Sequence, residues 1–206
     1  MIRAPSAELL LGVLRERGYV VFQAGPYDLN VVVLRAIPGV ADAFDDLLCV
    51  AYIDDVGAWR CEAWACTADP GRPGLLAPRR ADGVAVVAAG QHRAAWCLGE
   101  HHRGRPDAYE ALVPCRPIPV YRDANRDAVV DYGPATSTSS ATNIHRASAH
   151  HRSTVVGPWS EGCVVVADPQ DFARFLDLCR AQRDHGHGDR FTVTLLEVRD
   201  PPGVLA

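Results

Sequence analysis

The clearest chemical signal in this chain is the segment Trp159-Ser160-Glu161-Gly162-Cys163, which runs into three valines. A glycine directly before a cysteine favours a tight turn in which backbone N–H groups surround the thiol. Such groups are expected to lower the thiol pKa and to stabilise an oxyanion. His145 lies upstream, with fourteen residues between it and Ser160, and is a candidate general base. The pattern therefore predicts a cysteine nucleophile activated by a histidine.

The order of these residues, His145 followed by Ser160-x-Gly162-Cys163, resembles the signature of the L,D-transpeptidase (YkuD-type) catalytic domain over residues 118–166. The resemblance implies a β-sandwich fold and activity on bacterial peptidoglycan. It makes Cys163 the nucleophile, His145 its base, and Ser160 and Gly162 the residues that shape the turn. Three positions depart from the family pattern and indicate a divergent branch: Arg146, Glu161 and Val165.

We expect such an enzyme to attack a stem-peptide carbonyl and to form an acyl-enzyme on Cys163. Water would resolve it in a hydrolase, and an amine would resolve it in a transpeptidase. Two alternatives remain open from the sequence. In the first, the chain is a non-enzymatic wall-binding module in which Cys163 packs as a buried residue. In the second, Glu161 and the Asp123–Asp131 patch form the site of a carboxylate-based peptidoglycan glycosidase.

Candidate substrate-binding residues flank the two central positions. Arg122 and Arg146 are suited to binding a substrate carboxylate, and Trp159 directly precedes the turn. No cofactor is expected. The one alternative is calcium, because four residues with oxygen-bearing side chains have a spacing similar to that of an EF-hand loop. They are Asp123, Asn125, Asp127 and Asp131. The loop lacks the expected glycine and glutamate, so a solvated turn is the competing interpretation. The paired histidines lack zinc-ligand spacing, and no metal is assigned to them.

Composition limits the other classes of function. The chain has 206 residues, a mass of 22.3 kDa and a net charge of −4, which argues against a nucleic-acid binder. No apolar run is long enough for a transmembrane helix. The run Leu9–Leu14 is too short for a signal peptide, so we expect cytoplasmic synthesis, with access to the wall after lysis or through dedicated secretion. The seven cysteines include no C-x-x-C pair, and most are expected to pack as reduced residues, with a local Cys61–Cys66 disulfide as an alternative.

Hydrophobic periodicity predicts an α+β, mostly β domain over 1–206, with residues 1–35 as an N-terminal helix-and-strand part and 118–198 as the motif-bearing part. Helices are expected after Ser6 and over 168–183. Strands are expected over 19–22, 29–35, 46–53, 59–67, 83–89, 93–98, 118–122, 143–146, 162–167 and 191–198. The small polar residues 133–142 are expected to form a mobile loop.

Overall fold

A computed structural model describes residues 2–199 of the chain, so residue 1 and residues 200–206 of the predicted domain lie outside it. The described part is α+β and consists mainly of strands. Its helices are Ala7–Glu16 (α1), Arg72–Leu76 (α2) and Pro169–Gln182 (α3), with a 3₁₀ turn at Gly157–Trp159 and a π-type turn at Arg183–His187. Its strands are Asn30–Ile37 (β1), Asp46–Ile53 (β2), Trp59–Thr67 (β3), Val84–Val87 (β4), Gly90–His101 (β5), Tyr109–Pro114 (β6), Ile118–Asp123 (β7), Ser137–Ser139 (β8), Ile144–Arg146 (β9), Val164–Val166 (β10) and Arg190–Arg199 (β11).

Eight of these strands form one sheet that closes into a barrel, in the order β1-β11-β5-β6-β9-β10-β3-β2. The sheet closes because β1 pairs in parallel with β11 on one side and antiparallel with β2 on the other. The sandwich part of the sequence prediction is therefore not confirmed. A separate sheet, in the order β4-β7-β8, lies beside the barrel.

The residues of β1 alternate between two apolar clusters, as expected for a strand that is covered on both faces. Val31 and Val33 pack in the main core with side chains from α3. Val32 and Leu34 pack in a second cluster with the apolar face of α1. The barrel therefore needs both helices to bury the two faces of this strand.

Both predicted long helices are confirmed, with their caps. The Ser6 side chain accepts a hydrogen bond from the Leu9 N–H at the start of α1, and Gly18 adopts φ +71° just beyond its end. Asp168 caps α3 through the Gln170 N–H. Within residues 2–199, no helix has the length and hydrophobicity needed to cross a membrane.

Two local predictions are wrong. Residues 19–22 form no strand, because side chains rather than a neighbouring strand bind their backbone: Asn30 accepts from the Phe22 N–H, and Gln91 accepts from the Val20 N–H. The segment 133–142, expected to be a loop throughout, contains strand β8, which pairs antiparallel with β7. Strand β6 was not predicted.

A buried arginine connects the barrel to the small sheet. Arg35 on β1 donates to the carbonyl of Val87 at the end of β4, at 2.8 Å, and to the Ala68 carbonyl at 3.0 Å. Its Nε lies 3.1 Å from the Asp69 carboxylate, which also accepts from the Tyr132 hydroxyl at 2.6 Å. Because a buried charge is stable only when it is paired and hydrogen-bonded, this cluster fixes β4 against the barrel.

Candidate functional site

A cluster of histidine, cysteine, arginine and hydroxyl side chains lines a cavity of about 520 Å³ beside strands β9 and β10. His145 and Cys163 both line it, so the structure brings the two predicted residues into one cleft. The opposite wall comes from the small sheet, through Ala85, Arg122 and Ser139. The cavity therefore lies where the barrel meets the small sheet.

Parallel pairing of β9 with β10 brings the histidine and the cysteine together. Ile144 pairs with Val164 and His145 with Val165, and the Val164 N–H donates to the Asn143 carbonyl at 2.9 Å. Cys163 directly precedes β10, so it lies opposite Asn143, two register positions from His145, and the two side chains point to the same face of the sheet. Backbone pairing of the two strands therefore brings His145 and Cys163 together although they are distant in the sequence.

Ser160 and Gly162 shape the turn before Cys163. The fully buried Ser160 hydroxyl donates to the Cys163 carbonyl at 3.0 Å and accepts from the Gly162 N–H at 3.2 Å. Gly162 adopts φ +109°, and a Cβ at this position would collide with the Ala85 carbonyl of β4. Only glycine fits, both for backbone conformation and for space.

The His145 ring is fixed in one tautomer. Its Nδ1 lies 2.8 Å from the Arg146 carbonyl, which can only accept, so Nδ1 carries the proton. The Tyr109 hydroxyl donates to the same carbonyl at 3.2 Å. The unprotonated Nε2 is buried and has no hydrogen-bond partner among the described residues. This nitrogen therefore keeps its lone pair free of any contact with the described residues.

A second histidine covers the face of the first. The rings of His101 and His145 stack with 4.0 Å between centroids and 16° between planes, and Asn143 donates to the His101 Nδ1 at 2.8 Å. Burial, and then the proximity of His101, lower the pKa of His145 to about 3. Burial lowers the pKa of His101 to about 4. Both imidazoles are neutral at pH 7.

The Cys163 thiol differs from the sequence expectation. Its Sγ–H donates to the Ala141 carbonyl at 3.4 Å. Burial raises its pKa to about 11, although the Asn143 backbone N–H acts in the opposite direction. The prediction of a lowered thiol pKa is therefore wrong, because removal of water outweighs the backbone donor. The resting pair consists of a neutral thiol and a neutral imidazole.

The predicted oxyanion donors are only partly available. The Gly162 N–H already donates to Ser160, and the Val164 N–H already donates to Asn143. Among residues 2–199, the Cys163 N–H donates to no protein acceptor. The Cys163 N–H is therefore the backbone donor left for a developing negative charge.

The predicted substrate-binding residues separate into two groups. Arg122 and Trp159 line the cavity, and Arg122 also donates to the Ser137 hydroxyl at 3.1 Å. Arg146 instead lies over the Tyr109 ring, 3.7 Å from its centroid, and supplies its carbonyl to His145. Its guanidinium is not among the groups that line the cavity.

The Asp123–Asp131 patch has the geometry of a turn closed by its own hydrogen bonds. Asn125 donates to Asp131 at 2.9 Å, and the Asp131 N–H donates to Asp123 at 3.0 Å. Asp127 accepts from the Val129 N–H at 2.8 Å. Within residues 2–199, no group of three His, Cys, Asp or Glu side chains is arranged to hold a metal ion. The patch does not line the cavity.

Sequence reasoning considered His101 only as one of the paired histidines and as part of a polar loop near the cleft, and it missed Arg79 and Thr142. His101 and Arg79 line the cavity, and Arg79 forms an ion pair with Glu161 at 2.9 Å. Thr142 is 2% exposed and also lines it, with its Oγ1 buried and unpartnered. The adjacency of Thr142 to Asn143 was a signal present in the sequence, whereas the positions of His101 and Arg79 depend on long-range pairing.

Comparison with known proteins adds no relative to this description. No family model, no curated protein and no solved structure matches the chain.

Proposed function

We propose that the chain is a peptidoglycan-acting cysteine enzyme, L,D-transpeptidase-like, that cleaves or exchanges stem-peptide bonds through an acyl-enzyme on Cys163. The observation that carries this proposal is the buried, unpartnered Nε2 of His145 in the same cavity as the Cys163 thiol. Nucleophilic catalysis by cysteine needs an oriented base in the same site as the thiol, and a base nitrogen that no other group occupies. The peptidoglycan substrate is inferred from the sequence resemblance, with Arg122 available for a substrate carboxylate.

The proposed reaction begins with proton transfer from the Cys163 thiol to His145 Nε2 as the sulfur attacks the carbonyl carbon. The Cys163 N–H donates to the oxyanion. Collapse of the tetrahedral intermediate breaks the C–N bond, and the leaving amine takes the proton from His145. Water or a second amine then attacks the thioester and releases Cys163 as a thiol.

The protonation states require the proton to move together with bond formation. With pKa values of about 11 for Cys163 and about 3 for His145, a thiolate–imidazolium pair is strongly disfavoured before substrate binds. Attack on the carbonyl removes this obstacle, because the sulfur becomes neutral as the C–S bond forms. The enzyme is therefore expected to be inert toward simple electrophiles and active toward a bound substrate.

The neutral resting pair also favours one alternative, a non-enzymatic wall-binding module in which Cys163 only packs. The glycosidase alternative has less support, since Glu161 is the carboxylate that lines the cavity and it is paired with Arg79. Glycosidases of the common type need a second carboxylate within reach of the same bond.

The test is incubation of purified protein with sacculi from several bacteria, followed by mass analysis of the muropeptides and by co-sedimentation. The proposal predicts altered stem peptides with wild type and unaltered ones with Cys163→Ala. Co-sedimentation with unaltered muropeptides would establish the binding module instead. Cleaved glycan strands with Cys163→Ala would favour the glycosidase.

A further inference from the structure

A second pair of thiols lies on the outer face of the barrel, on β5 and just after β6. Cys97 on β5 pairs in register with Val113 on β6 and with Arg190 on β11. Cys115 lies two residues beyond Val113, so its side chain projects to the same face as that of Cys97. Both cysteines are free and half-buried.

Local hydrogen bonds hold Cys115 beside Cys97. The Cys115 N–H donates to the Ala95 carbonyl at 2.9 Å, which extends the β5–β6 ladder past Pro114. The Cys115 thiol donates to the Ala94 carbonyl at 3.6 Å. Burial raises the pKa of Cys97, and the neighbouring Cys115 thiol raises it further.

An arginine side chain contacts Cys115 and makes it the candidate attacking group. The Arg190 guanidinium donates to the Cys115 Sγ at 3.8 Å. A guanidinium is a favourable neighbour for the negative charge that sulfur carries when it attacks a disulfide. The geometry thus provides an attacking thiol and a second thiol within its reach.

We propose that Cys97 and Cys115 form a redox-active dithiol that converts reversibly to an intramolecular disulfide by exchange with low-molecular-weight disulfides. The Cys115 thiolate attacks one sulfur of the small disulfide, and the first small thiol leaves. Cys97 then loses its proton and attacks the Cys115 sulfur, which expels the second small thiol. Two protein thiols are oxidised and one small disulfide is reduced to two thiols.

The other cysteines lack this combination of contact and access. Cys66 and Cys179 are buried, and Cys163 faces Ala141 in the cavity. Cys49 and Cys61 are diagonal neighbours on β2 and β3, but Cys49 is fully buried, and burial raises the pKa of Cys61 to about 11. Cys61 therefore supplies a matched control, since it is half-buried and near another thiol without an adjacent arginine contact.

The test treats the reduced, desalted protein with oxidised glutathione, quenches with acid, and measures intact mass and cysteine-linked peptides. Wild type and Cys61→Ser should lose two hydrogens and yield a Cys97–Cys115 cross-linked peptide that dithiothreitol removes. Cys115→Ser should yield no cross-link, and Cys97→Ser should stop at a glutathione adduct on Cys115. Because the disulfide would close a loop of about 18 residues, oxidised wild type should melt roughly 5–10 °C higher than reduced wild type.

Two outcomes would overturn the proposal. One is a wild-type protein that keeps a glutathione adduct on Cys115 without resolving it to a cross-link. The other is a cross-link that persists in Cys115→Ser or that joins other cysteines. The assay is independent of activity at Cys163, so its result stands apart from the enzymatic proposal.

Discussion

His101 lies flat against His145, with 4.0 Å between ring centroids and 16° between planes. The contact covers one face of the proposed base, while the Arg146 carbonyl accepts a hydrogen bond from the His145 Nδ1 at 2.8 Å. Two consequences follow. The ring is held in one orientation, and its protonated form is disfavoured by burial and by the second imidazole.

We predict that His101→Ala raises the pKa of His145 toward its ordinary value, because water reaches the uncovered ring face. NMR titration of the His145 ring protons measures this shift. Any activity on muropeptides should fall by roughly ten- to a hundredfold, since a less constrained base is misplaced for proton transfer. The acidic limb of the pH–rate profile should move to higher pH.

The exposed His150 provides the control for this variant. His150→Ala should leave both the His145 titration and the pH–rate profile unchanged. An unchanged His145 pKa in His101→Ala would show that the stacked ring does not set the protonation of the base.

The buried His145 should also make stability depend on pH. Its pKa is about 3 in the folded chain and near 6.5 when unfolded, so the unfolded state binds the extra proton first. The resulting stability is fully present above pH 6.5 and is lost as the pH falls toward 3. Each unit of lowering corresponds to about 1.4 kcal/mol. Denaturant unfolding should show a shallower loss between pH 6.5 and 3 in His145→Gln than in wild type or His150→Gln. Parallel curves for His145→Gln and wild type would contradict the prediction.

Gly162 should be intolerant of any side chain. Gly162→Ala introduces a Cβ against the Ala85 carbonyl at a φ of +109°, and strand backbone cannot easily move aside. We expect a loss of about 3 kcal/mol in unfolding free energy, measured by denaturant titration.

Gly57→Ala is the matched control, because Gly57 has φ +83° and a Cβ added there would have nothing within 4 Å. It should carry only the conformational cost of about 1 kcal/mol. Equal losses in the two variants would mean that contact with β4 does not constrain the turn before Cys163.

The parts of the fold that the sequence predicted are those determined locally. Strands Asp46–Ile53 and Trp59–Thr67 and the caps Ser6 and Asp168 follow from short-range pattern and turn chemistry. Barrel closure depends on which strands pair over long distances, and no local pattern specifies the parallel β1–β11 contact. Residues 19–22 have strand composition, yet the side chains of Asn30 and Gln91 bind their backbone.

The candidate site divides in the same way. The spacing of His145 and Cys163 was visible in the sequence, and parallel β9–β10 pairing brings both to one cavity. The stacking of His101 on His145 was not foreseen, because the β5–β6 hairpin brings His101 in from more than forty residues upstream. The thiol pKa was predicted in the wrong direction, because spacing reveals backbone donors but not the extent of burial.

The raised pKa makes a specific prediction about thiol reactivity. Iodoacetamide should label Cys163 slowly at pH 7 and about tenfold faster for each pH unit up to about 11, since only the thiolate reacts. Peptide mapping after timed labelling at several pH values measures the rate. Rapid labelling of Cys163 at pH 7, with a plateau by pH 8, would contradict the neutral resting thiol.

The central claim, a Cys163 acyl-enzyme, is tested most directly by intact mass measurement of acid-quenched mixtures of protein and purified muropeptides, with turnover followed in the same samples. The account predicts turnover by wild type, with an adduct of acyl-donor mass that peptide mapping places on Cys163, and neither signal in Cys163→Ala. Turnover that persists in Cys163→Ala, or wild type that converts no muropeptide, would contradict it.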